Sequence, residues 1–134
     1  MDEEMIEIAV LLRRAQLRKQ TSCEAVLARW EMTLPQWGML NAVAANPDSS
    51  THALALLTGQ SDQSAGAVVT RLEQRGLLAR RSGHGKAILH RATPEGAEML
   101  KACDGAVAQT MRTALSGYSE DEVRTLHDLL KRLA

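Results

Sequence analysis

The most reactive side chains of this sequence, its thiols and imidazoles, lie at spacings that suit neither a metal site nor a catalytic group. The thiols are Cys23 and Cys103. The imidazoles are His52, His84, His90 and His127. A structural metal site needs several such ligands a few residues apart, and nucleophilic catalysis needs a nucleophile beside a base. A glycine-rich phosphate loop is also missing from the sequence. We therefore predict no metal, no cofactor and no enzymatic activity.

The two cysteines leave one further chemistry open, the sensing of oxidants. Sensing requires an exposed thiolate with a lowered pKa. Arg18, Lys19 and Arg29 lie near Cys23 in the sequence, whereas Cys103 falls on an apolar helical stripe that is typical of inert, buried thiols. We expect inert thiols and keep redox sensing as the alternative.

Charge distribution is the more informative chemical feature. The 134 residues carry 16 basic and 16 acidic side chains, so the net charge is zero. Residues 71–91 nevertheless hold six basic side chains against one acidic one, while residues 35–70 contain no Lys or Arg. The ordinary interpretation is a solvated, charged hairpin. The functional interpretation is a local surface for the phosphates of nucleic acid.

The hydropathy pattern places this basic stretch directly after a helix-turn-helix. Capping residues at 33–36 begin a helix that ends at Asn46-Pro47, and a short helix over 51–57 is expected to bury its leucines Leu54, Leu56 and Leu57. Residues 58–61 interrupt the helical pattern, and a further helix follows over 62–75. A short helix, a turn and a longer helix make up this motif.

Beyond Gly76 the pattern becomes that of strands. Residues 77–81 and 86–91 flank a loop with two glycines, which predicts a β-hairpin. Thr93-Pro94 begins another helix, and a capping box at 119–122 begins the last one. The predicted fold class is mainly α (α+β), a winged helix-turn-helix with additional helices at both ends.

The helices at the chain ends point to a second copy of the chain. A first helix over about residues 3–30, expected to bury its ends better than its centre, and two helices after the hairpin carry more apolar surface than a small winged helix can cover. We therefore expect a two-fold homodimer, with residues 1–33 and 93–134 as the helical dimerisation region. Residues 34–92 form the predicted winged-helix DNA-binding region.

Three sequence segments carry a family resemblance. They are Leu72–Arg80 (LEQRGLLAR), Leu34–Trp37 (LPQW) and Thr93–Gly96 (TPEG). In this order and at this spacing they resemble the multiple-antibiotic-resistance regulator (MarR) family over nearly the whole chain. The resemblance implies a dimeric, mostly helical transcription regulator, often a repressor that a small ligand or oxidation releases from DNA.

The predicted wing, residues 80–91, departs from the family pattern. Members usually carry an Asp two residues before an Arg, where the Asp orients the Arg that enters the minor groove. His84 and Lys86 stand at these positions here, and lysine lacks the planar fork of arginine. We expect Arg80, Arg81 and Arg91 to supply phosphate contacts at the base of the hairpin.

The predicted DNA-binding residues fall into two groups. The helix over 62–75 is expected to enter the major groove, where Gln can bind adenine and Ala or a Thr methyl can touch thymine. Its candidates are Gln63, Ser64, Ala67, Thr70 and Arg71. The wing candidates are Arg80, Arg81, Lys86 and Arg91. For Arg75 an ion pair with Glu73 is as good an interpretation as a DNA contact.

These residues predict a homodimeric regulator that binds a pseudo-palindromic operator in double-stranded DNA. The resemblance to the family implies that it is a repressor. The acidic N-terminus and the absence of a long apolar run favour a cytoplasmic protein without membrane contact. A small-molecule effector is possible, with Trp30, Trp37 and Met39 as candidates for its pocket or simply for the core. The alternative is a winged-helix adaptor or anti-regulator that binds protein instead of DNA.

Overall fold

The computed structural model describes residues 1–82, 85 and 87–134, so the predicted wing residues His84 and Lys86 lie outside its described part. Its elements in chain order are α1 (Asp2–Leu27) with a 3-10 turn (Ala28–Trp30), α2 (Leu34–Ala45), β1 (Ser49–Ser50), α3 (Thr51–Thr58), α4 (Asp62–Gln74), β2 (Leu78–Ser82), β3 (Ile88–Ala92), α5 (Pro94–Ala114) and α6 (Glu120–Leu133). The mainly helical winged-helix fold is confirmed.

Helix starts follow the capping residues that the sequence contains. The Thr33 hydroxyl accepts the Gln36 backbone N–H, and the Gln36 side chain accepts that of Thr33, which makes a complete capping box at the start of α2. Ser119 and Glu122 form the same box at α6. Ser61 is the cap of α4. These local bonds determine where each helix begins.

The sheet has a third strand that the sequence did not predict. β3 lies between β1 and β2 and is antiparallel to both, with Ser49 opposite His90 on one side and Arg80 opposite His90 on the other. β1 is only two residues long, too short to show an alternating pattern. Its Ser50 also caps α3, since the Ser50 hydroxyl accepts the Ala53 backbone N–H.

A single aliphatic core joins the helix-turn-helix to α1 and α5. Its fully buried members include Leu27, Leu40, Leu54, Leu72 and Cys103. The prediction that α3 buries all three of its leucines is wrong in part. Leu54 is buried, but Leu56 and Leu57 are exposed, because α3 turns the face that carries Leu54 and Ala55 toward α2 and α4.

The junction between the hairpin and α5 is close-packed. Thr93 accepts the Gly96 backbone N–H and donates its hydroxyl hydrogen to the Gly76 carbonyl at 2.7 Å. Gly96 lies against the backbone of Leu77, and a β-carbon there would collide with the Leu77 carbonyl oxygen. The start of α5 is thereby locked to the segment between α4 and β2.

The two terminal helices leave apolar side chains uncovered in the single chain. α1 buries only Cys23 and Leu27 near its C-terminal end, so the expectation that both of its ends are buried is wrong for one chain. The exposed set on these helices includes Met5, Ile6, Ile8, Leu11, Leu12, Leu17, Leu126, Leu129, Leu130 and Leu133. Among the described residues no helix has the combined length and apolarity needed to cross a membrane.

Candidate nucleic-acid interface

The exposed face of α4 carries the candidates predicted for the major groove. Ala65, Val69 and Leu72 are buried on its inner face. The outer residues are Gln63, Ser64, Ala67, Thr70 and Arg71, all exposed. Because three- and four-residue spacings share one side of a helix, these side chains form a continuous surface. The helix therefore presents a strip of hydrogen-bonding, methyl and cationic groups to solvent.

Short-range contacts hold the start of α4 in place. Gly59 has a φ of 68°, a left-handed conformation that glycine adopts without strain, and it ends α3. The Ser61 hydroxyl accepts the Ser64 backbone N–H at 3.1 Å and donates to the Ser64 side-chain oxygen at 3.0 Å. His52 Nδ1 lies 2.9 Å from Asp62 Oδ1. The angle between α3 and α4 is set by this turn.

Arg75 has a structural role, and its predicted ion pair with Glu73 is wrong. Its guanidinium donates to the carbonyl oxygens of Trp30 and Glu31, each at 2.8 Å, and to Gln36 Oε1 at 3.2 Å. Glu31 has a left-handed backbone with φ 53° at the end of the first helical segment. Arg75 therefore joins the end of α4 to the link between α1 and α2.

Glu73 instead connects α4 to the hairpin. Its carboxylate lies 3.5 Å from Arg80 Nε and 3.3 Å from His90 Nδ1, and His90 Nε2 is 2.9 Å from the Thr51 hydroxyl. His90 is buried, and its Nδ1 has no well-aligned hydrogen-bond partner among the described residues. Burial lowers the pKa of His90, although the neighbouring Glu73 carboxylate opposes this. This cluster ties α4 to β3 and α3.

A second carboxylate, Asp48, binds both arginines on the outer face of the sheet. Asp48 Oδ1 is 2.9 Å from Arg81 Nε, and Arg91 donates to Asp48 through Nη2 at 2.6 Å and Nε at 3.3 Å. The hydrogen bond from Arg91, helped by the charge of Arg81, holds the pKa of Asp48 below its usual value. The sequence-based candidates include the arginines but not Asp48.

The structure does not favour the redox alternative. Cys23 and Cys103 are both buried, 1% and 0% exposed. Burial, reinforced by the nearby negative charge of Asp104, raises the pKa of the Cys103 thiol. A buried thiol is a poor target for oxidants.

The three candidates for a ligand pocket lie in different surroundings. Met39 is fully buried in the core, and the indole of Trp37 donates to Asp104 Oδ1 at 2.8 Å. Trp30 lines an open groove of about 520 Å³. The other lining residues are Leu77, Pro94, Glu95, Glu98, Met99 and Ala102.

Comparison with known proteins matches this chain to transcription regulators. A model of the MarR family matches residues 30–87, the helix-turn-helix and most of the wing. A protein of Thauera aromatica, named for the transcriptional regulation of the hcr operon, is 32% identical in an alignment of 131 positions that covers 95% of this chain and 78% of that protein.

Solved structures share the fold. The PcaV transcriptional regulator of Streptomyces coelicolor, in complex with its natural ligand, is 28% identical with a TM-score of 0.78 over 92% of this chain and 88% of its own. A mutant MarR of E. coli, complexed with operator DNA, is 22% identical with a TM-score of 0.84 over 97% and 95% of the two chains. The chain belongs to the MarR family of transcription regulators, which bind DNA through a winged helix and are not enzymes.

Proposed function

We propose that this chain is a homodimeric, sequence-specific repressor that binds a pseudo-palindromic operator and leaves it when a small molecule binds. The observation that carries the proposal is the outer face of α4. Gln63, Ser64, Ala67, Thr70 and Arg71 all face solvent there, while the opposite face is held in the core. A rigid helix with such a face is suited to read base edges in the major groove.

The uncovered apolar faces of α1 and α6 support a dimer. Met5, Ile8 and Leu12 on α1 and Leu126 and Leu130 on α6 are each more than 40% exposed in the single chain. Exposed apolar surface of this extent is unfavourable in water, and a second copy packed about a two-fold axis would cover it. The two α4 helices would then lie about one helical turn of DNA apart, ~34 Å.

The hairpin supplies the cationic part of the proposed interface. Arg80, Arg81 and Arg91 are exposed, and each also contacts a carboxylate. An ion-paired arginine keeps unused N–H donors, so it can bind a phosphate while its carboxylate holds it in place. Lys86, outside the described residues, is proposed as a further phosphate contact.

The groove beside Trp30 is the proposed site for the effector. It lies between the end of the first helical segment and α5, and Leu77 at its wall directly precedes β2. A ligand in this groove would contact the turn that follows α1, the residue that precedes β2 and the first half of α5. The structure of PcaV with its natural ligand shows that one relative of this fold binds a small molecule. We propose that the chain performs this function in the cytoplasm.

The test is a fluorescence titration of the duplex upstream of the chain's own gene against a scrambled duplex of equal length and composition. We expect the protein to prefer the upstream duplex, and Gln63→Ala to change which base pairs are preferred. Arg81→Ala is expected to weaken binding to both duplexes and to reduce the salt dependence of binding by about one phosphate contact. Equal affinity of wild type and both variants for both duplexes would contradict the proposal.

The second candidate function is a protein-binding adaptor that does not bind DNA. The observation in its favour is the charge of the helix-turn-helix, which has no Lys or Arg from residue 35 to residue 70. The three described wing arginines also have carboxylate partners within the chain. The same titration separates the two functions, because an adaptor would bind neither duplex measurably at moderate salt.

A further inference from the structure

Asp48 occupies an unusual position in the backbone. It lies between α2 and β1 with a φ of 63°, in the left-handed region that residues other than glycine seldom adopt. Its backbone N–H donates to the His90 carbonyl at 3.0 Å, which fixes the residue beside β3. A non-glycine residue held in such a conformation by its surroundings is a reason to look for a function of its side chain.

The side chain of Asp48 reaches the arginines of two different strands. Arg81 lies opposite Leu89, and Arg91 lies opposite Ala79. Because side chains alternate along a strand, Arg81 and Arg91 share the face of the sheet that is turned away from the buried His90. Asp48 lies between them and contacts both.

The contacts leave part of each guanidinium unused by Asp48. Arg81 is held through Nε, so both of its terminal nitrogens keep their N–H groups. Arg91 uses Nε and Nη2, so its Nη1 remains. A carboxylate that binds the inner edge of a guanidinium restricts its rotation while the outer donors stay available to an anion.

We propose that Asp48 is a positioning residue for DNA binding, which holds Arg81 and Arg91 together on the outer face of the sheet so that their remaining donors bind backbone phosphates of the operator. The proposal rests on the proposed function of the chain. The proposal places an orienting carboxylate in the segment before β1. His84 stands at the wing position where the family usually has one.

The proposal makes Asp48 act on specificity more than on total affinity. Its negative charge repels the phosphates of any DNA, but its contacts with Arg81 and Arg91 favour only a duplex whose phosphates fit the fixed arginines. Removing the charge while keeping the shape should therefore weaken binding to the operator alone.

The test compares Asp48→Asn with wild type, as full-length chains, on the duplex upstream of the chain's own gene and on the scrambled duplex. We expect the affinity for the upstream duplex to fall about threefold, in line with an exposed ion pair. The affinity for the scrambled duplex should stay the same or rise, so the ratio of the two affinities falls. A merely structural role would not change this ratio in the folded protein.

The control is the same substitution in the Arg81→Ala, Arg91→Ala double variant. There Asp48 has no arginine to position, so Asp48→Asn should no longer weaken binding to the upstream duplex. Thermal unfolding of every variant confirms that folded protein is compared.

Two results would overturn the inference. They are an unchanged ratio of the two affinities, which includes an equal rise in both, and an equal loss with and without the two arginines. If wild type itself showed no preference for the upstream duplex, the proposed function would fail and the inference with it. That outcome is distinct from a preference that Asp48→Asn leaves intact.

Discussion

At the scale of single residues, a buried imidazole links α4, α3 and β3, and its pKa predicts a stability that depends on pH. His90 is 2% exposed and lies between Glu73 of α4 and Thr51 of α3. Burial lowers its pKa below the usual 6.5, so the folded chain binds this proton less readily than the unfolded chain does. Below about pH 6.5 the unfolded state gains protons that the folded state does not, so the free energy of unfolding falls as the pH decreases.

His90→Gln should remove this dependence. In wild type we expect the free energy of unfolding to fall as pH decreases from 7 to 5, at most about 1.4 kcal/mol per pH unit. Glutamine keeps a polar atom near Thr51 and does not titrate, so the variant should show a flatter slope even if it is less stable throughout. Urea unfolding at one protein concentration and several pH values measures this. Parallel curves for the two proteins would contradict the assignment.

Sequence and structure agree at residues where a local pattern decides the outcome. The outer face of α4 could be predicted because helical periodicity alone separates Gln63 and Thr70 from the buried Val69. The contacts of Asp48 and Arg75 could not be predicted, since they join residues that are 33 to 45 apart in the chain. No local pattern encodes such pairs.

At the scale of elements, α4 and α5 each depend on one close contact at an end. Arg75 anchors the end of α4 through the carbonyl oxygens of Trp30 and Glu31, whereas Arg71, one turn earlier, is exposed. The start of α5 depends on the absence of a side chain at Gly96. Capping signals predicted where these helices begin, but the packing between them appears only in three dimensions.

The two arginines of α4 should separate stability from DNA binding. Arg75→Ala leaves two carbonyl oxygens without their charged donor, and we expect a loss of about 1–2 kcal/mol in the free energy of unfolding. Arg71→Ala should change stability by no more than about 0.5 kcal/mol but weaken binding to DNA. Chemical unfolding measures the stability of both variants, and the duplex titration measures their affinity for DNA. Equal loss of stability in both variants would refute this division.

The two glycines of α5 offer a second matched pair. Gly96→Ala places a methyl group against the Leu77 carbonyl, and we expect a loss of about 2–3 kcal/mol. Gly105→Ala meets open space within the chain and should stabilise the helix by up to about 1 kcal/mol. Thermal or urea unfolding of the two variants measures both changes in stability. Two neutral substitutions would show that the junction before α5 is not close-packed.

At the scale of the whole molecule, the account requires two chains. The sequence predicted this from the amphipathic terminal helices, and the single chain indeed leaves most of their apolar side chains exposed. Which of these faces meet in the dimer could not be predicted, because periodicity identifies an apolar side of a helix but not its partner.

Leu130→Glu should break the proposed dimer. Leu130 is 44% exposed on the apolar face of α6. We propose that the dimer covers this face, so a carboxylate at position 130 would be buried without a partner. We expect wild type to sediment as two 14.6-kDa chains and the variant as one. Leu56→Glu, at an equally apolar but 72% exposed position on α3, is the control and should remain paired. A wild type that sediments as a single chain would contradict the dimer.

The most direct test of the central claim, that two α4 helices read successive turns of one DNA face, is a hydroxyl-radical footprint of wild type on the duplex upstream of its own gene. The account predicts two protected patches on the same face of the duplex, centred about one helical turn (~34 Å) apart. A single protected patch, or protection that does not repeat with the helical turn, would contradict it.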